Sequence, residues 1–459
     1  MGLQARAWAP VDIAGLAVFR LMFGAVMLVD LIRYWIAGWI DGHFVDPAFL
    51  FKYHWLEWVQ PLPRVGMYVA VAVMMVASVG VALGAAYRLA AVVLLVGHAY
   101  LYALAATHYL NHAYLLGLIA LLMVCVPAAD GLSIDAWRRP KARRGWVPMW
   151  TRWVLLAQLL IVYTFGGIAK LNADWLAGVP VAGWLQGAAK RVPEWMGTWL
   201  DTEVAVGLMV QGGLWFDLLV APALLWRRTR VLAVMASLAF HLTNAYLFDI
   251  GVFPWFMLLA TTLFFDPSWP RRLPWIGRTL DGWLGPVPVQ APVPAGHRKT
   301  KALLLGWLVF QLAMPLRHHL YPGNVAWTEQ GHYYAWRMKL RSKSGSARFV
   351  LRAPSTGQSW VVDPADELTP WQTRKMVAKP DLVLQYAHHL AARWEREQGV
   401  AVEVRAQVNV SLNGRQRRPL VDPEVNLAAV EASLWPAPWI AEAPIEPVRR
   451  RRRRRTRQP

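Results

Sequence analysis

The stretch FGGIAKLNADWLAG, residues 165–178, places a lysine, Lys170, at the end of an apolar segment that opens near Val154. An asparagine, an aspartate and a tryptophan follow closely. Burial of an amine disfavours its charged form, and the neutral amine is a general base able to act near neutral pH. Arginine cannot take that role, because its guanidinium stays protonated. A weakly acidic donor that dissolves in lipid, such as a quinol, would be a suitable partner. Taken alone, a lysine at a helix end can equally extend its amine to the water interface. Other polar groups, however, fall at comparable places. THYLNH (107–112) brings His108, Asn111 and His112, FHLTNAYLFD (240–249) brings His241, Asn244 and Asp249, and RHHLYPG (317–323) brings Arg317, His318 and His319. One histidine at a helix end is usually an interface residue; several helix ends at one depth point to a site.

Positioning these groups requires membrane helices. A span needs about 20 mostly apolar residues, and nine segments qualify, roughly 13–32, 67–87, 89–109, 114–128, 150–171, 204–225, 231–247, 251–265 and 302–320, the fourth and eighth being short. Lys and Arg in short loops mark the cytoplasmic side. They crowd the connections after the second, fourth, sixth and eighth segments (Arg88; Arg138, Arg139, Lys141, Arg143 and Arg144; Arg227, Arg228 and Arg230; Arg271 to Lys301) and are sparse in the others. The N-terminus is therefore expected in the cytoplasm and everything after Leu320 on the opposite face. On that orientation the third, fifth, seventh and ninth segments deliver their polar ends to the outer leaflet.

From about Tyr321 the composition shifts. HYYAWRMKLR, ARFVLRAP and SWVVD alternate in the manner of half-exposed strands, with SKSGS as a turn. DLVLQYAHHLAARWEREQG has helical periodicity ending on Gly399, and VAVEVRAQVNVSL returns to strand alternation. The expected fold is an α-helical polytopic membrane domain of about nine helices (1–320), then an extramembrane α+β domain (321–440) and a basic, disordered tail (441–459). With 56% hydrophobic residues and 27 tryptophans in 459, the chain is too apolar for an ordinary soluble domain. Its single cysteine, Cys125, excludes an intramolecular disulfide, an Fe–S cluster and a multi-cysteine zinc site; no metal site is expected. The net charge of +20 owes much to the run Arg449 to Arg455 and Arg457. Nothing beside that run resembles a base-reading module, so no nucleic-acid partner is expected. Phosphate loops, nucleophile elbows and H-E-x-x-H motifs are missing, which leaves hydrolase and nucleotide-driven readings without a foothold.

The sequence resembles the vitamin K-dependent gamma-carboxylases. FGGIAKLNADWLAG is similar to the family's lysine motif, A-x-K-K-L-D-A-D-W. PVDIAGLAVFR (10–20), NHAYLLGLIA (111–120), QGGLWFDLLVAPALL (211–225), FHLTNAYLFDIGVFPW (240–255), FDPSWPRRL (265–273), MPLRHHLYPG (314–323) and VSLNGRQRRPLVDP (410–423) have counterparts in the same order, over roughly residues 10–435. The resemblance implies an HTTM-type membrane domain, a luminal C-terminal domain and a coupled reaction. A lysine base deprotonates vitamin K hydroquinone, of phylloquinol or menaquinol type, and the anion captures O2. The oxygenated quinone then takes the γ-proton of a peptidyl glutamate, whose carbanion adds CO2, leaving γ-carboxyglutamate and quinone epoxide. By position the base matches Lys170. The family's asparagine–histidine pair, which orients the quinone or supports the oxyanion, matches Asn111 and His112, with His112 counted as catalytic. His241 and Asn244 match the family's FH-x-x-N element, and His318 a histidine just before the luminal domain; these, with Asn111, are the implied substrate or quinone contacts.

The partners implied are a glutamate-containing peptide or protein, the lipid bilayer and a quinone epoxide reductase. The sequence also departs from the family pattern. Ala169 stands where the motif has its first lysine, Asn172 where it has aspartate, and the disulfide of animal members cannot form. The arginine run replaces their longer extension. These differences resemble a bacterial homologue, in the inner membrane with its C-terminal domain periplasmic. Two other readings remain open at this level. One is a quinol-dependent epoxidase that does not carboxylate, since both reactions begin by deprotonating the quinol. The other is a haem-type electron-transfer protein using pairs among His98, His108, His112 and His241, which gives Lys170 no role.

Overall fold

The structure, a computed structural model, describes residues 2–274, 276–288 and 297–444. The arginine run expected to form a basic tail lies outside these residues. The chain divides into two units, Met1–Ile168 with Trp215–Pro315, and Ala169–Leu214 with Leu316–Pro459.

The principal helices are α1 (Ala14–Ile36), α2 (Arg64–Leu83), α3 (Tyr87–Leu104), α4 (Asn111–Cys125), α5 (Met149–Ala169), α6 (Glu203–Leu225), α7 (Arg230–Leu247), α8 (Phe253–Thr261) and α9 (His297–Leu316). Each expected span falls on one of them, but length and composition support fewer than nine crossings. Among the described residues, α1, α2, α3, α5 and α6 are long and apolar enough to cross a membrane. Helix α4 and the 253–264 segment are apolar but short. Helix α7 carries Arg230, His241 and Asn244, and α9 opens with His297, Arg298, Lys299 and Lys301, which lowers their apolar content.

In the first unit α1, α2, α3 and α4 pack in chain order, and α8 packs on both α1 and α7. Small residues allow the close crossings that membrane helices favour: a Cβ on Gly24 of α1 would lie 2.5 Å from the Ala82 backbone nitrogen of α2. Two short antiparallel strands, β1 (Pro10–Asp12) and β2 (Trp146–Pro148), join the entries of α1 and α5. Arg20 is 1% exposed. Its guanidinium donates to the carbonyls of Ala128 (3.0 Å), Ala82 (3.3 Å) and Leu132 (2.5 Å), fastening the end of α2 to the loop after α4. Gly84, at φ +64°, closes α2 in the left-handed conformation beside that guanidinium, where a Cβ would lie 2.8 Å from Arg20 Nη1.

The C-terminal part of the second unit is a four-stranded antiparallel sheet with helices. Strands β3 (Lys343–Arg352), β4 (Ser359–Val362), β5 (Glu403–Leu412) and β6 (Arg418–Pro419) lie in the order β4-β3-β5-β6. Phe349 and Leu351 on β3, and Val404, Ala406, Val408 and Val410 on β5, alternate inward and are buried. Helix α10 (Pro370–Met376) opens with a capping box between Thr369 and Gln372. Helix α11 (Pro380–Gln398) ends on Gly399 at φ +65° and sets Tyr386 edge-on to Phe349, 5.0 Å away.

Two expectations fail here. HYYAWRMKLR is a chain of turns, not a strand, and SKSGS, expected as a turn, runs into β3 from Lys343 onward. The reason for the second is visible at Gly345. A Cβ there would sit 2.4 Å from the Asn409 carbonyl, so the glycine serves close strand approach and not a bend.

Candidate functional site

The six residues singled out in the sequence are shared between the units: Asn111, His112, His241 and Asn244 belong to the first, Lys170 and His318 to the second. Within the first unit three elements converge. Helix α4 begins at Asn111, whose Oδ1 accepts from the Tyr109 hydroxyl at 3.0 Å. The next residue, His112, sets its ring 5.7 Å from Phe253 at the start of α8. His241 of α7 is buried, and its ring lies 6.3 Å from the same Phe253 and 5.6 Å from Phe216. Its Nε2 shares a hydrogen bond of 3.0 Å with the hydroxyl of Tyr163 on α5. One turn on, Asn244 donates to the Phe240 carbonyl at 2.9 Å, leaving its amide oxygen to accept. His112 and His241 therefore share one aromatic floor, with an amide and a phenol nearby. Tyr163 and Phe253 were not foreseen, since an aromatic in an apolar run reads as core.

In the second unit Lys170 is the residue after α5, and it is 6% exposed. Its Nζ lies 5.3 Å from the centroid of Trp175. The turn that carries it is fixed by Asn172. The side-chain oxygen of Asn172 accepts from the Trp175 backbone N–H (3.0 Å), capping the helical turn Ala173–Leu176, and its amide donates to the Ala169 carbonyl (2.8 Å) at the end of α5. Trp175 is anchored in turn by its indole N–H on the Val210 carbonyl, 3.2 Å away on α6. Opposite, α6 offers Gly213, where a Cβ would lie 3.3 Å from Trp175 and 3.8 Å from Lys170 Cε.

Asp174, read in the sequence as one of the clustered polar groups, has a docking role. Its oxygens take Arg415 in a two-pronged ion pair (2.7 and 2.8 Å) and Asn413 Nδ2 at 2.6 Å, tying the lysine turn to the hairpin after β5. The Arg415 hydrogen bonds hold the Asp174 carboxyl below its ordinary range.

His318 lies in the short helical turn Arg317–Leu320, its ring 4.0 Å from His319. It packs against Gly331, where a Cβ would come within 2.6 Å of the His318 Cα and where φ is +70°. Gly331 belongs to a loop, residues 329–343, whose importance the sequence did not show, because its residues mimic strand alternation. At its start Glu329, 5% exposed, is gripped by Arg341 and by Lys343, whose Nζ is 2.9 Å away. Burial alone would raise the Glu329 carboxyl; Arg341 and Lys343 instead hold it well below the usual range. Among the described residues no group of three or more acidic, histidine or cysteine side chains is arranged to hold a metal ion.

Comparison with known proteins agrees with this arrangement of parts. The HTTM domain family matches residues 8–269, more than half of the chain, and the lumenal domain of vitamin K-dependent gamma-carboxylase matches residues 297–446. No solved structure matches. With a helical region of one kind and a sheet-bearing C-terminal region of the other in a single chain, the protein belongs to the vitamin K-dependent gamma-carboxylase family.

Proposed function

We propose that this gamma-carboxylase-like protein carboxylates peptidyl glutamate at the expense of a reduced vitamin K-type naphthoquinone, O2 and CO2, with Lys170 as the base that starts the reaction. The observation that carries this reading is the lysine itself: a nearly inaccessible amine, set at a helix end by an asparagine that serves both the helix behind it and the turn ahead. An amine so enclosed meets few water molecules, and a base that must deprotonate a phenol of the quinol gains from their exclusion. Lys170 accepts that proton at Nζ. The ring of Trp175 stabilises the resulting ammonium through its π face, as such contacts do where water is scarce.

A naphthohydroquinone presents a flat apolar ring system with hydroxyl poles. The surfaces around Phe253 have matching chemistry: imidazole and phenyl faces for the ring, and the Asn244 amide oxygen and the imidazoles of His112 and His241 for the hydroxyls. We assign Asn111, His112, His241 and Asn244 to orienting the quinol, His112 also to supporting the oxyanion formed on deprotonation, and His318 to the peptide side of the reaction. When bound, the quinol supplies, by its oxidation to the epoxide, the driving force for removing the γ-proton. The protein's own part is to hold, orient, exclude water and receive the first proton.

The test is incorporation of labelled bicarbonate into a short glutamyl peptide by purified protein in nanodiscs, with reduced vitamin K and air, and epoxide measured in the same tubes. Label and epoxide should appear together, and Lys170→Ala should abolish both. Epoxide without label on varied peptides would instead identify a quinol epoxidase, and neither product with several quinols would sink the assignment. In the cell this reading places the chain in the membrane with its N-terminus cytoplasmic and its C-terminal region on the far side, where a quinone epoxide reductase would complete the cycle.

A further inference from the structure

Arg33 stands in the last turn of α1, a helix long and apolar enough to cross a membrane. A charge in such a helix is costly, and an arginine near a helix end ordinarily extends past that end into water. Arg33 turns back instead. Its Nη1 donates to Asp30 Oδ1 at 3.1 Å, one turn toward the middle of the helix, and the ring of Trp39, from the segment that follows α1, lies 5.3 Å from the guanidinium. Among the described residues this is the one hydrogen bond that the guanidinium makes, from a fork carrying several N–H groups. The side chain is 34% exposed, which leaves it open to a ligand.

The guanidinium lies against the wall of the Phe253 surface, within the same unit. Helix α8 packs on α1, and the turn leading into α8 passes through Gly251, at φ +61°. A Cβ there would lie 3.0 Å from Arg33 Nη1 and 3.6 Å from Nη2, so the guanidinium occupies space that any side chain at this position would need. Two residues on is Phe253, the ring that His112 and His241 both approach. The titratable groups within electrostatic reach of Arg33 are His112 from α4 and Asp30 and Tyr34 from α1 itself. A cation that the base-and-imidazole account does not use therefore stands at the edge of that surface, held there by a carboxylate and a glycine.

We infer that Arg33 is the counter-charge for an ionised oxygen of the bound quinol, directed to the Phe253 surface by Asp30. The inference rests on the reading of that surface as the quinol site and adds to it a permanent positive charge, which neither an imidazole nor an amide has. Arg33 forms and breaks no bond: the proton of the quinol hydroxyl goes to the base, the electron pair stays on oxygen, and the guanidinium attracts the charge left there. Arginine suits this task because it stays protonated at any working pH. Asp30 fixes its direction while cancelling part of its field, so the two members of one ion pair act on a bound anion with opposite sign.

The experiment measures binding without O2 or CO2. The probe is a hydroxynaphthoquinone whose hydroxyl sits on the quinone ring, so that its anion absorbs at longer wavelength than its acid; its methyl ether, which cannot ionise, is the control. Both are titrated over a pH series onto full-length protein in phosphatidylcholine nanodiscs. The parent protein should bind the anion and lower the pH at which the bound probe ionises. Arg33→Gln should weaken anion binding about tenfold and raise that pH by about one unit, the effect of losing one nearby opposite charge, and Arg33→Lys should recover part of the loss. Asp30→Asn should tighten anion binding, since it unmasks the cation. The ether should bind equally to the parent and to every variant. Arg33→Gln and Asp30→Asn break the same ion pair, so a purely structural pair would move both variants in one direction; that result would overturn the inference, as would an ether weakened as much as the acid in Arg33→Gln. Loss of the Arg33 effect in a Lys170→Ala background would assign the charge to the lysine and overturn it too. If the parent protein binds neither compound, the quinol reading of this surface falls and takes the inference with it. If the parent and Arg33→Gln bind the anion equally, the inference alone falls.

Discussion

At the scale of single residues, Asn172 does two things that no other small side chain could combine. Its oxygen caps the turn carrying Trp175, and its amide satisfies the carbonyl left open at the end of α5. The aspartate usual in the family motif could cap but could not donate to Ala169. Asn172→Asp should therefore keep the turn and lose one hydrogen bond, about 1 kcal/mol. Asn172→Ala should lose both, about 1–3 kcal/mol, with a larger loss of carboxylation than of peptide binding, because Lys170 is the group released. Denaturant midpoints of the two variants, ranked beside their activities, check this; equal midpoints would show that the donated bond is idle.

Asp174 makes a pH prediction. Its folded-state carboxyl is depressed, first by the Arg415 hydrogen bonds, so its contribution is fully present above the unfolded value of about 3.9 and is lost as pH falls through the lower folded value. Acid unfolding followed between pH 5 and 2 should begin at higher pH in Asp174→Asn than in the parent protein. At neutral pH the variant should be less stable by about 1.5–3 kcal/mol, the value of hydrogen bonds to a charged group. An acid transition identical in both proteins would show that the ion pair adds nothing.

At the scale of elements, the features most legible in the sequence were those with a strong period or a strong cap. The apolar stretches all became helices, α11 ended on Gly399, and the alternating segments ARFVLRAP, SWVVD and VAVEVRAQVNVSL became paired strands. What failed was what period cannot encode. HYYAWRMKLR alternates as a strand would, yet its alternation arises from turns whose aromatic residues face Arg317, Lys379 and Asp381. The lysine motif drew attention in the sequence as an expected place for chemistry, but the contacts of Asn172, Asp174 and Arg415 around it were not foreseen, because they join residues 239 to 241 positions apart.

Arg20 makes the same point in the first unit. A buried arginine in an apolar helix has no local explanation, and its carbonyl partners lie 62 to 112 residues away. Lysine has one amine and no fork, so Arg20→Lys cannot reach all of these carbonyls. The expected result is a loss on the order of 3 kcal/mol, from buried carbonyls left without donors, and looser packing between the end of α2 and the loop after α4. Hydrogen exchange should rise at residues 128–133 in Arg20→Lys while the second unit keeps its protection. Uniform exchange across both units would mean that the clamp supports global stability only.

At the scale of the whole molecule, the proposed coupled reaction has a geometric demand: the quinol would come from lipid and the peptide from water. Which aqueous side the peptide occupies is settled by orientation, and the single cysteine gives a way to read it. Cys125 ends α4 and is exposed, and the preceding carbonyl, Val124, receives Arg88 from the start of α3. A basic group at this end of α3 and α4 is what the cytoplasmic face attracts. An impermeant maleimide should therefore leave Cys125 unlabelled in right-side-out vesicles and label it in inverted ones. A Ser355→Cys substitution in the hairpin between β3 and β4, in a Cys125→Ser background, should show the opposite pattern, since Ser355 is exposed on the C-terminal region. If both cysteines react from one side, the alternation of basic loops has misled. If the two patterns are exchanged, the C-terminal region faces the cytoplasm, and the peptides to be tried as substrates are those of that compartment. The chemistry proposed for Lys170 does not depend on the outcome, but the proteins that could reach it do.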